Sequence, residues 1–432
     1  MVSKEKFYGK KDCNKNRGIT LIALVITIIV LLILAGVTIA ALSGDNGILT
    51  RAKEAKENTN KANQEELDVL DKYEQNLNQY VDGKDVDLKN INKSDTNPTE
   101  AMPENVRVLE NNANKGIVIK DRNNNEWVWI EVPKTTVFSD LTIDTTGTLT
   151  EQNYTDIKNK LITYVGVYKN GSISQNFSNW TDEWYEGCGL TSDEYTVTYQ
   201  KMLKSVYTYG GFWIGRYEAG IEESIDDVSK ARTAHTDIII GTSPKAISQK
   251  DAIPYNFIYC SEAQALAKEM TPDNNYTSSL LFGIQWDLVC KYLEVKGNLA
   301  TADINSNSTS WGNYENAKIE NIISGKYDIY KNSALGTWTT IAGSYTKPNT
   351  SPDYDTLLST GITDYTKKMN IYDFAGNEWE WTLEKTSDSS YPCAYRGGGY
   401  NYTGFDGPAS NCGNGSTSGS LNSIGFRSAL YK

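Results

Sequence analysis

Few residues of the chain have the chemistry that catalysis requires. Glu378 and Glu380 stand at positions i and i+2 of the segment GNEWEWT, and paired carboxylates of this kind can act as general acid and base. Residues two apart share one face of a strand, but no second catalytic motif accompanies this pair. We therefore expect the two carboxylates to hold loops by hydrogen bonding and to pair with Arg396 or Arg427.

Histidine and cysteine chemistry is also limited. His235 is the one histidine of the chain, so multi-histidine metal sites are excluded and a Ser-His-Asp triad would depend on this residue alone. The six cysteines form no CxxC pair and no metal-ligand spacing, which argues against zinc ribbons and thioredoxin-like sites. They are Cys13, Cys188, Cys260, Cys290, Cys393 and Cys412.

The charge of the chain excludes another class of function. Its 432 residues carry a formal net charge of −12, and no basic cluster follows the N-terminal segment. Because a nucleic-acid surface needs clustered Lys and Arg to neutralise phosphates, we expect no nucleic-acid partner. Loops rich in Asp and Asn are compatible with Ca²⁺, but no diagnostic ligand spacing is present. No cofactor is therefore predicted, and metal ligands stay unassigned.

The N-terminal region predicts a membrane-spanning helix. Residues 19–42 contain no charge and, at about 1.5 Å per residue, are long enough for the roughly 30 Å hydrocarbon core. Lys and Arg residues precede this segment, and Asp45 is the first charged residue after it. By the positive-inside rule the C-terminal bulk lies outside the cell. This predicts a membrane-anchored protein on the extracellular face or in a pilus.

The junction before the apolar segment resembles the prepilin leader of type IV pilins and pseudopilins. The resemblance implies cleavage after Gly18, with Ile19 as the first mature residue, and pilus machinery as a partner. Ala23 stands where such pilins carry an acidic residue, which favours a minor pilin-like subunit over a major pilin. A plain uncleaved anchor is the alternative, and it has the same topology.

The chain then divides into consecutive parts. An apolar stripe at three- and four-residue spacings between Leu67 and Tyr80 predicts a stalk helix. A polar stretch interrupted by Pro98 and Pro103 predicts a linker. The predicted parts are a basic leader at 1–18, a transmembrane or pilin-like helix at 19–42, a stalk helix at 43–82, a linker at 83–104 and a head domain at 105–432.

Strands are expected to predominate in the head, because short apolar runs alternate with Asn, Asp, Gly and Ser turns. The fold class is α+β, with residues 301–363 as an insertion or loop region. Gly376 and Asn377 predict a turn. The clearest strands are predicted at 116–120, 126–132, 211–217 and 378–382, and the helices at 261–270 and 285–294.

Five segments of the head follow the motif order of one family. They are GFWIGRYEAG (211–220), LLFGIQWD (280–287), MNIYDFAGNEWEWT (369–382), YRGGGY (395–400) and IGFRSA (424–429). These segments resemble the formylglycine-generating enzyme (sulfatase-modifying factor) family, with Glu218 at the family's glutamate in the first motif. The resemblance implies a C-type-lectin-like head domain.

The same resemblance argues against enzymatic activity. The family's enzymes oxidise a substrate cysteine with a pair of their own cysteines between the last two motifs, where this chain has only Cys412. Cys393 precedes the YRGGGY motif, and one thiolate cannot bind copper in the two-thiolate manner. We therefore expect no enzyme activity, and a formylglycine-type oxidase is the enzymatic alternative.

The head is most similar to catalytically silent relatives, the variable proteins of diversity-generating retroelements, whose C-terminal segment is mutagenised at adenines. Residues 400–423 contain no Lys, Arg, Glu, Gln, Met or Trp. Every residue type present there is encoded by a codon ending in C, as expected if AAC codons for Asn were randomised at their first two bases. An ordinary surface loop rich in Gly, Ser and Asn is the alternative.

This resemblance implies a surface-displayed ligand-binding protein whose specificity changes with residues 400–423. The partner would be a protein or glycan on another cell or on a phage or host surface, and the flanking motifs would form a fixed framework. A structural minor pilin or pseudopilin subunit, or a fixed adhesin, is the alternative function. The predicted ligand-contact residues are Tyr400, Tyr402, Phe405, Asp406, Asn411, Cys412, Asn414, Leu421 and Asn422.

Overall fold

The chain divides into two compact units, Met1–Leu70 and Asp71–Lys432. In the first unit residues 25–33 form a helix, and residues 56 and 59 are also helical. Within the described residues, the second unit holds the other helices and all the strands, and it is a mixed α and β structure with mostly sheets. The computed structural model describes residues 25–33, 56, 59, 93, 95–168, 180–330, 337–349 and 355–432.

The structure corrects the predicted fold class at the N-terminus. Of the predicted transmembrane helix at 19–42, residues 25–33 are described, and they are helical. No helix within the described residues is long and apolar enough to cross a membrane. The predicted fold class and the predicted membrane-anchored or pilus location are therefore wrong.

Two other N-terminal predictions concern residues that the structure does not describe. The basic leader at 1–18, with the processing residues Gly18 and Ile19, lies outside the described residues. So does the stalk at 43–82, apart from residues 56 and 59.

Part of the predicted linker packs in the second unit. Thr96 is buried, and its hydroxyl donates a hydrogen bond to the Gly210 carbonyl at 3.1 Å. The indole N–H of Trp129 donates to the same hydroxyl at 2.8 Å. Residues 95–104 therefore contribute to the core that the strands of the second unit form.

Six α-helices lie in the described part of the second unit. The helices predicted at 261–270 and 285–294 are confirmed as the fourth and fifth of them, each shifted by one or two residues. Short 3-10 turns cover Gly166–Tyr168, Glu222–Ser224, Val228–Lys230 and Asp364–Thr366. The helices are α1 (Lys134–Val137), α2 (Glu151–Val165), α3 (Ser192–Tyr209), α4 (Cys260–Glu269), α5 (Gly283–Val295) and α6 (Thr301–Asn305).

Helices α2 and α3, the longest described helices, were not predicted from the sequence. Both begin with a reciprocal cap: the Thr150 hydroxyl accepts from the N–H of Asn153, and the Thr191 hydroxyl from the N–H of Glu194, each at 3.2 Å. α3 ends at Gly210, which has a left-handed conformation. The Thr-x-x-Glu pattern at the start of α3 is a helix-capping signature. The many Thr, Tyr and Val residues of α3, however, are residue types that favour strands.

The described strands form five sheets. The strands predicted at 116–120, 126–132 and 211–217 are confirmed as the second, third and fourth strands. The strands are β1 (Arg107–Glu110), β2 (Val118–Lys120), β3 (Glu126–Glu131), β4 (Gly211–Gly215), β5 (Gly220–Ile221), β6 (Ala246–Ile247), β7 (Thr277–Leu280), β8 (Ile319–Ile322), β9 (Lys326–Tyr330), β10 (Thr339–Thr340), β11 (Tyr345–Lys347), β12 (Asp355–Leu358), β13 (Trp379–Lys385), β14 (Cys393–Arg396), β15 (Cys412–Gly415), β16 (Ile424–Phe426) and β17 (Ser428–Tyr431).

The largest sheet has six strands in the order β1-β2-β3-β4-β17-β7. β4 is buried along its whole length, and the indole rings of Trp129 on β3 and Trp213 on β4 meet edge to face with centroids 5.0 Å apart. Buried aromatic rings in this geometry add to the hydrophobic stabilisation of the core. The last strand of the chain, β17, lies between β4 and β7, so this sheet is complete only when the C-terminus is in place.

The second large sheet has the order β15-β14-β13-β16. β13 is antiparallel to β14 and parallel to β16, and it is buried on both faces. The turn predicted before it is confirmed, because Gly376 and Asn377 have φ values of 72° and 60°. Glycine and asparagine are the residues that adopt this left-handed region at least cost.

The region predicted as an insertion or loop, 301–363, contains regular structure. Besides α6, its described residues form a sheet in the order β10-β9-β12 and a pair of β11 with β8. Ile319, Ile322 and Leu358 pack with Ile341 and Ile362 in a separate apolar cluster. The strands are short, and the surrounding residues are mostly Asn, Ser, Thr and Tyr, so the sequence pattern resembled loops.

The Gly376→Ala substitution is expected to destabilise the protein. A Cβ atom on Gly376 would lie 2.3 Å from the carbonyl oxygen of Asn313, and the left-handed backbone adds about 1–2 kcal/mol for an L-residue. We expect the free energy of unfolding in urea to fall by more than about 2 kcal/mol. Gly147→Ala is the matched control, because no atom lies within 4 Å of its Cβ position. Equal stability of the two variants would contradict the turn geometry.

Candidate functional site

Residues 400–423, here called the C-terminal segment, are carried by a sheet that two buried arginines hold. Arg427 is fully buried. Its Nη2 lies 2.7 Å from Oε1 of Glu380, and its Nε lies 3.1 Å from each oxygen of that carboxylate. Its other N–H groups donate to the carbonyls of Gly215 and Tyr372 at 2.9 Å. Arg427 therefore joins β13 to the end of β4 through charge-assisted hydrogen bonds.

Arg396, at the end of β14, makes similar contacts with a second carboxylate of β13. Its Nε and Nη2 donate to the two carboxylate oxygens of Glu384 at 2.7 and 2.5 Å. Nη2 also lies 3.3 Å from Asp287 on α5. Nη1 donates to the carbonyl of Ser410 at 3.0 Å. This last bond holds the C-terminal segment from the interior of the protein.

Glu378 and Glu380 are not arranged as an acid–base pair open to a substrate, because each side chain is 1% exposed. Burial raises the pKa of Glu380 to about 7, although Arg427 works in the opposite direction. Burial also raises the pKa of Glu378 well above its usual range. The predicted pairing of Glu380 with Arg427 is confirmed, whereas Arg396 pairs with Glu384.

The two ends of the C-terminal segment are joined. The side-chain amide of Asn422 donates to the Tyr400 hydroxyl at 2.8 Å. The backbone carbonyl of Asn422 accepts a hydrogen bond from the side-chain amide of Asn256 at 2.8 Å. Tyr400 is 0% exposed. Its backbone N–H donates to the Asn377 carbonyl at 2.8 Å, and its ring lies 5.2 Å from that of Tyr330. The segment thus closes over a partly buried Tyr–Asn contact.

The first loop of the segment, 401–411, is held by its backbone. The N–H of Ser308 donates to the carbonyl of Gly404, and the N–H of Glu315 donates to the carbonyl of Tyr402, both at 2.9 Å. These bonds use main-chain atoms that every residue type provides. Side chains of the loop add further bonds: the Thr403 hydroxyl donates to Asp406 at 2.6 Å, and the Asn411 amide donates to the Asp406 carbonyl at 2.8 Å. None of these bonds uses the side chain of Tyr402 or Phe405.

The second loop, 416–422, follows the edge strand β15. Gly413 on β15 lies opposite Tyr395 on β14, and a Cβ atom on this glycine would overlap the tyrosine ring. The N–H of Phe257 donates to the Leu421 carbonyl at 3.0 Å. Like the first loop, the second loop is fixed through main-chain atoms, and Gly413 belongs to the fixed part of the segment.

The predicted ligand-contact residues fall into three groups by exposure. Tyr402, Phe405 and Leu421 are exposed by 42%, 67% and 52% of their surface, and Asp406 is exposed as well. Cys412, Asn414 and Asn422 are half-buried. Tyr400 and Asn411 are 0% and 6% exposed, so the structure places these two side chains with the framework. The first group therefore exposes apolar side chains from both loops, together with one carboxylate.

The structure separates the two cysteines that an oxidase would need. On the β14–β15 ladder Cys393 lies opposite Gly415, and Cys412 lies opposite Arg396. Three strand positions separate the two thiols, which is about 10 Å. The thiol of Cys393 lies instead beside Cys260, whose hydrogen bond lowers the pKa of Cys393 while burial raises it. Cys393 and Cys412 therefore do not meet as a pair.

One group of metal-ligating side chains occurs in the part of the chain that the structure describes. His235, Asp237 and Glu262 each offer a ligand atom, and these atoms lie within 4.8 Å of one another. The sequence spacing did not predict this group, because 27 positions separate His235 from Glu262. Only the fold of the loop before α4 brings the two residues together.

Two adjoining clefts lie away from the C-terminal segment. They have volumes of about 260 and 240 Å³, and Asp182, Glu183 and Tyr199 line both of them. Helices α2, α3 and the start of α5 form their walls. Both clefts are smaller than the roughly 300–1,000 Å³ of typical small-molecule sites. The exposed loops of the C-terminal segment are the better candidate for a large ligand.

Comparisons with known proteins give one structural similarity. No protein-family model matches the chain, and no curated protein matches it. Treponema denticola variable protein 1, a solved structure, is similar over 52% of this chain and 85% of its own, with 13% sequence identity and a TM-score of 0.27. The expected similarity to a variable protein is thus met only weakly. Kinship with formylglycine-generating enzymes or C-type lectins has no support among the comparisons.

Arg427→Met is expected to lower the free energy of unfolding by about 3–5 kcal/mol, because it leaves Glu380 buried without its partner. Urea denaturation at pH 7.5 measures this loss. The double variant Arg427→Met/Glu380→Gln should recover part of the stability, since no unpaired charge remains. Lys160→Met removes an exposed ion pair with Asp140 and should cost less than about 1 kcal/mol. Equal losses in the single and double variants would contradict the role of the ion pair.

Glu378→Gln is expected to change how stability depends on pH. The pKa of Glu378 is raised in the folded protein, so the folded state keeps a proton that the unfolded state loses. The stability that this group contributes is present below the unfolded pKa of 4.5 and falls as pH rises toward the folded pKa.

As pH rises within that window, the free energy of unfolding of Glu378→Gln should therefore increase relative to that of the unsubstituted protein. The difference should grow by about 1.4 kcal/mol for each pH unit. Urea denaturation from pH 4.5 to 8 measures the difference. The exposed substitution Glu186→Gln is the control and should leave the pH dependence unchanged. A constant difference between Glu378→Gln and the unsubstituted protein would contradict the raised pKa.

Proposed function

We propose that this protein binds a macromolecular ligand through the exposed side chains of the C-terminal segment, and that a retroelement diversifies this segment to change the ligand. The observation that carries the proposal is the division of the segment into a fixed backbone and exposed side chains. Tyr402, Phe405 and Leu421 extend into solvent, while main-chain hydrogen bonds hold the loops that bear them.

The framework is suited to variation at these positions. Arg396 holds the carbonyl of Ser410, and Asn422 holds Tyr400. Because the first contact is buried, the second is partly buried and the exposed positions lie outside both, substitution there changes the binding surface without changing the fold. This is the property that a diversified binding protein needs.

The amino-acid alphabet of the segment supports diversification. Residues 400–423 lack Lys, Arg, Glu, Gln, Met and Trp. All the residue types that occur there have codons ending in C, the pattern that adenine mutagenesis of AAC codons produces. Solvent exposure alone would favour Lys and Glu, which are common on protein surfaces.

The chemistry of the exposed positions fits a protein or glycan ligand. Tyr402 and Phe405 are aromatic side chains with few rotatable bonds, and such residues supply contact area at low entropic cost. Asp406 adds a hydrogen-bond acceptor beside them. The segment carries no Lys or Arg, and the whole chain has a net charge of −12, so a nucleic-acid ligand does not fit.

Deep sequencing of the gene across cells of one strain tests the proposal. We expect substitutions at the codons for Tyr402, Phe405 and Leu421, and a constant codon for Gly413, whose Cβ would overlap Tyr395. The preceding segment of equal length, 376–399, is the internal control and should be constant. A template repeat and a reverse-transcriptase gene should lie nearby. A constant segment without such a repeat would refute diversification and leave a fixed binding surface or structural subunit.

The stability of variants tests the division into exposed and framework positions without a ligand. Phe405→Ala and Leu421→Ala should each change the free energy of unfolding by less than about 0.5 kcal/mol. Tyr400→Ala should lower it by about 3–5 kcal/mol, because a buried aromatic side chain is removed. Urea denaturation measures all three variants. A large loss for Phe405→Ala would show that this loop is part of the core and would contradict the proposed binding surface.

A further inference from the structure

A cluster of one imidazole and two carboxylates lies at the N-terminal end of α4. Nε2 of His235 is 3.0 Å from Oε2 and 3.2 Å from Oε1 of Glu262. A carboxylate oxygen of Asp237 completes a group whose ligand atoms all lie within 4.8 Å of one another. We propose that His235, Asp237 and Glu262 bind a divalent transition-metal ion of the zinc class.

The separations of the ligand atoms fit such an ion. Zinc binds imidazole nitrogen and carboxylate oxygen at about 2.0–2.2 Å, and two ligands at a tetrahedral angle then lie about 3.4 Å apart. The 3.0 and 3.2 Å separations between His235 and Glu262 are within a few tenths of an ångström of this value. Asp237 is exposed, so its side chain can rotate to bring a carboxylate oxygen within bonding distance of the ion.

Two of the ligands are held in place by neighbouring groups. The N–H of Ile238 donates to Oε1 of Glu262, and the N–H of Tyr259 donates to Oε2, both at 3.0 Å. Each carboxylate oxygen keeps a second lone pair for a metal. The imidazole ring of His235 stacks on the ring of Tyr259 with centroids 3.7 Å apart. Such supporting contacts orient metal ligands and reduce the entropy lost on binding.

The charge of the cluster favours a cation over a simple ion pair. A protonated His235 would neutralise Glu262 and leave the second carboxylate, Asp237, facing the first. Arg232, the arginine beside the cluster, directs its Nη2 to the carbonyls of Thr236 and Phe257. A divalent ion bound to neutral imidazole balances both carboxylates at once.

The donor set selects the class of ion. Imidazole nitrogen suits zinc, copper, nickel and iron, whereas Ca²⁺ takes six to eight oxygen ligands and Mg²⁺ keeps several waters. Three protein ligands leave a fourth tetrahedral position for water. The bound ion would fasten the loop at 235–238 to the start of α4.

Titration calorimetry of the full chain, stripped of metal with a chelator, tests the site. With Zn²⁺ at pH 7.5 we expect one binding event with a dissociation constant at or below the micromolar range. His235→Gln and Asp237→Asn should each weaken it at least tenfold. Asp226→Asn, an exposed aspartate outside the cluster, is the matched control and should bind like the unsubstituted protein.

Spectra with Co²⁺ in place of Zn²⁺ identify the ligands independently. Nitrogen and oxygen ligands give visible d–d absorption without an intense near-ultraviolet thiolate band, and His235→Gln should abolish this absorption. Asp237→Asn, at an exposed position, keeps the test valid if His235→Gln does not fold. Absence of binding at millimolar Zn²⁺, unchanged affinity in both variants, a thiolate band, or Ca²⁺ binding as tight as that of Zn²⁺ would each overturn the proposal.

Discussion

The buried pair of Arg427 and Glu380 fixes the point where the chain passes from one sheet to the other. Glu380 lies on β13, in the middle of the four-stranded sheet, and Arg427 lies between β16 and β17. β16 pairs with β13, and β17 pairs with β4 of the six-stranded sheet. Because an unpaired charge in this interior would cost several kcal/mol, the two sheets can combine only in the arrangement that brings these groups together.

This constraint determines where the C-terminal segment lies. The segment begins after β14 and ends before β16, so the strands on both sides of it are fixed by Arg396 and Arg427. Between them its loops are held by main-chain hydrogen bonds and by the contact of Asn422 with Tyr400. Most residues of the main hydrophobic core lie outside the segment. Exposed side chains of the segment therefore contribute little to global stability, and their chemistry can serve another purpose.

Sequence reasoning succeeded where a local pattern has one structural meaning. Gly376 and Asn377 predicted a turn, and both adopt the left-handed conformation. It failed where propensity and tertiary context disagree. α3 carries many residues typical of strands, yet its Thr191 cap and its packing on the sheet make it helical. Residues 301–363 looked like a loop because each of their strands is short and gains its stability from a partner strand.

By itself, the sequence determined the short strands and two helices of the head, the pairing of Glu380 with an arginine, and the restricted alphabet of residues 400–423. These properties follow from local pattern, from the cost of burying charge and from composition. Only the tertiary structure decided which residues of the segment face solvent, which cysteines are neighbours, and that His235 meets Glu262. Such relations depend on contacts between residues far apart in the chain, which no local pattern encodes. At the N-terminus, apolar length suggested a membrane span, whereas no helix within the described residues is long and apolar enough to cross a membrane.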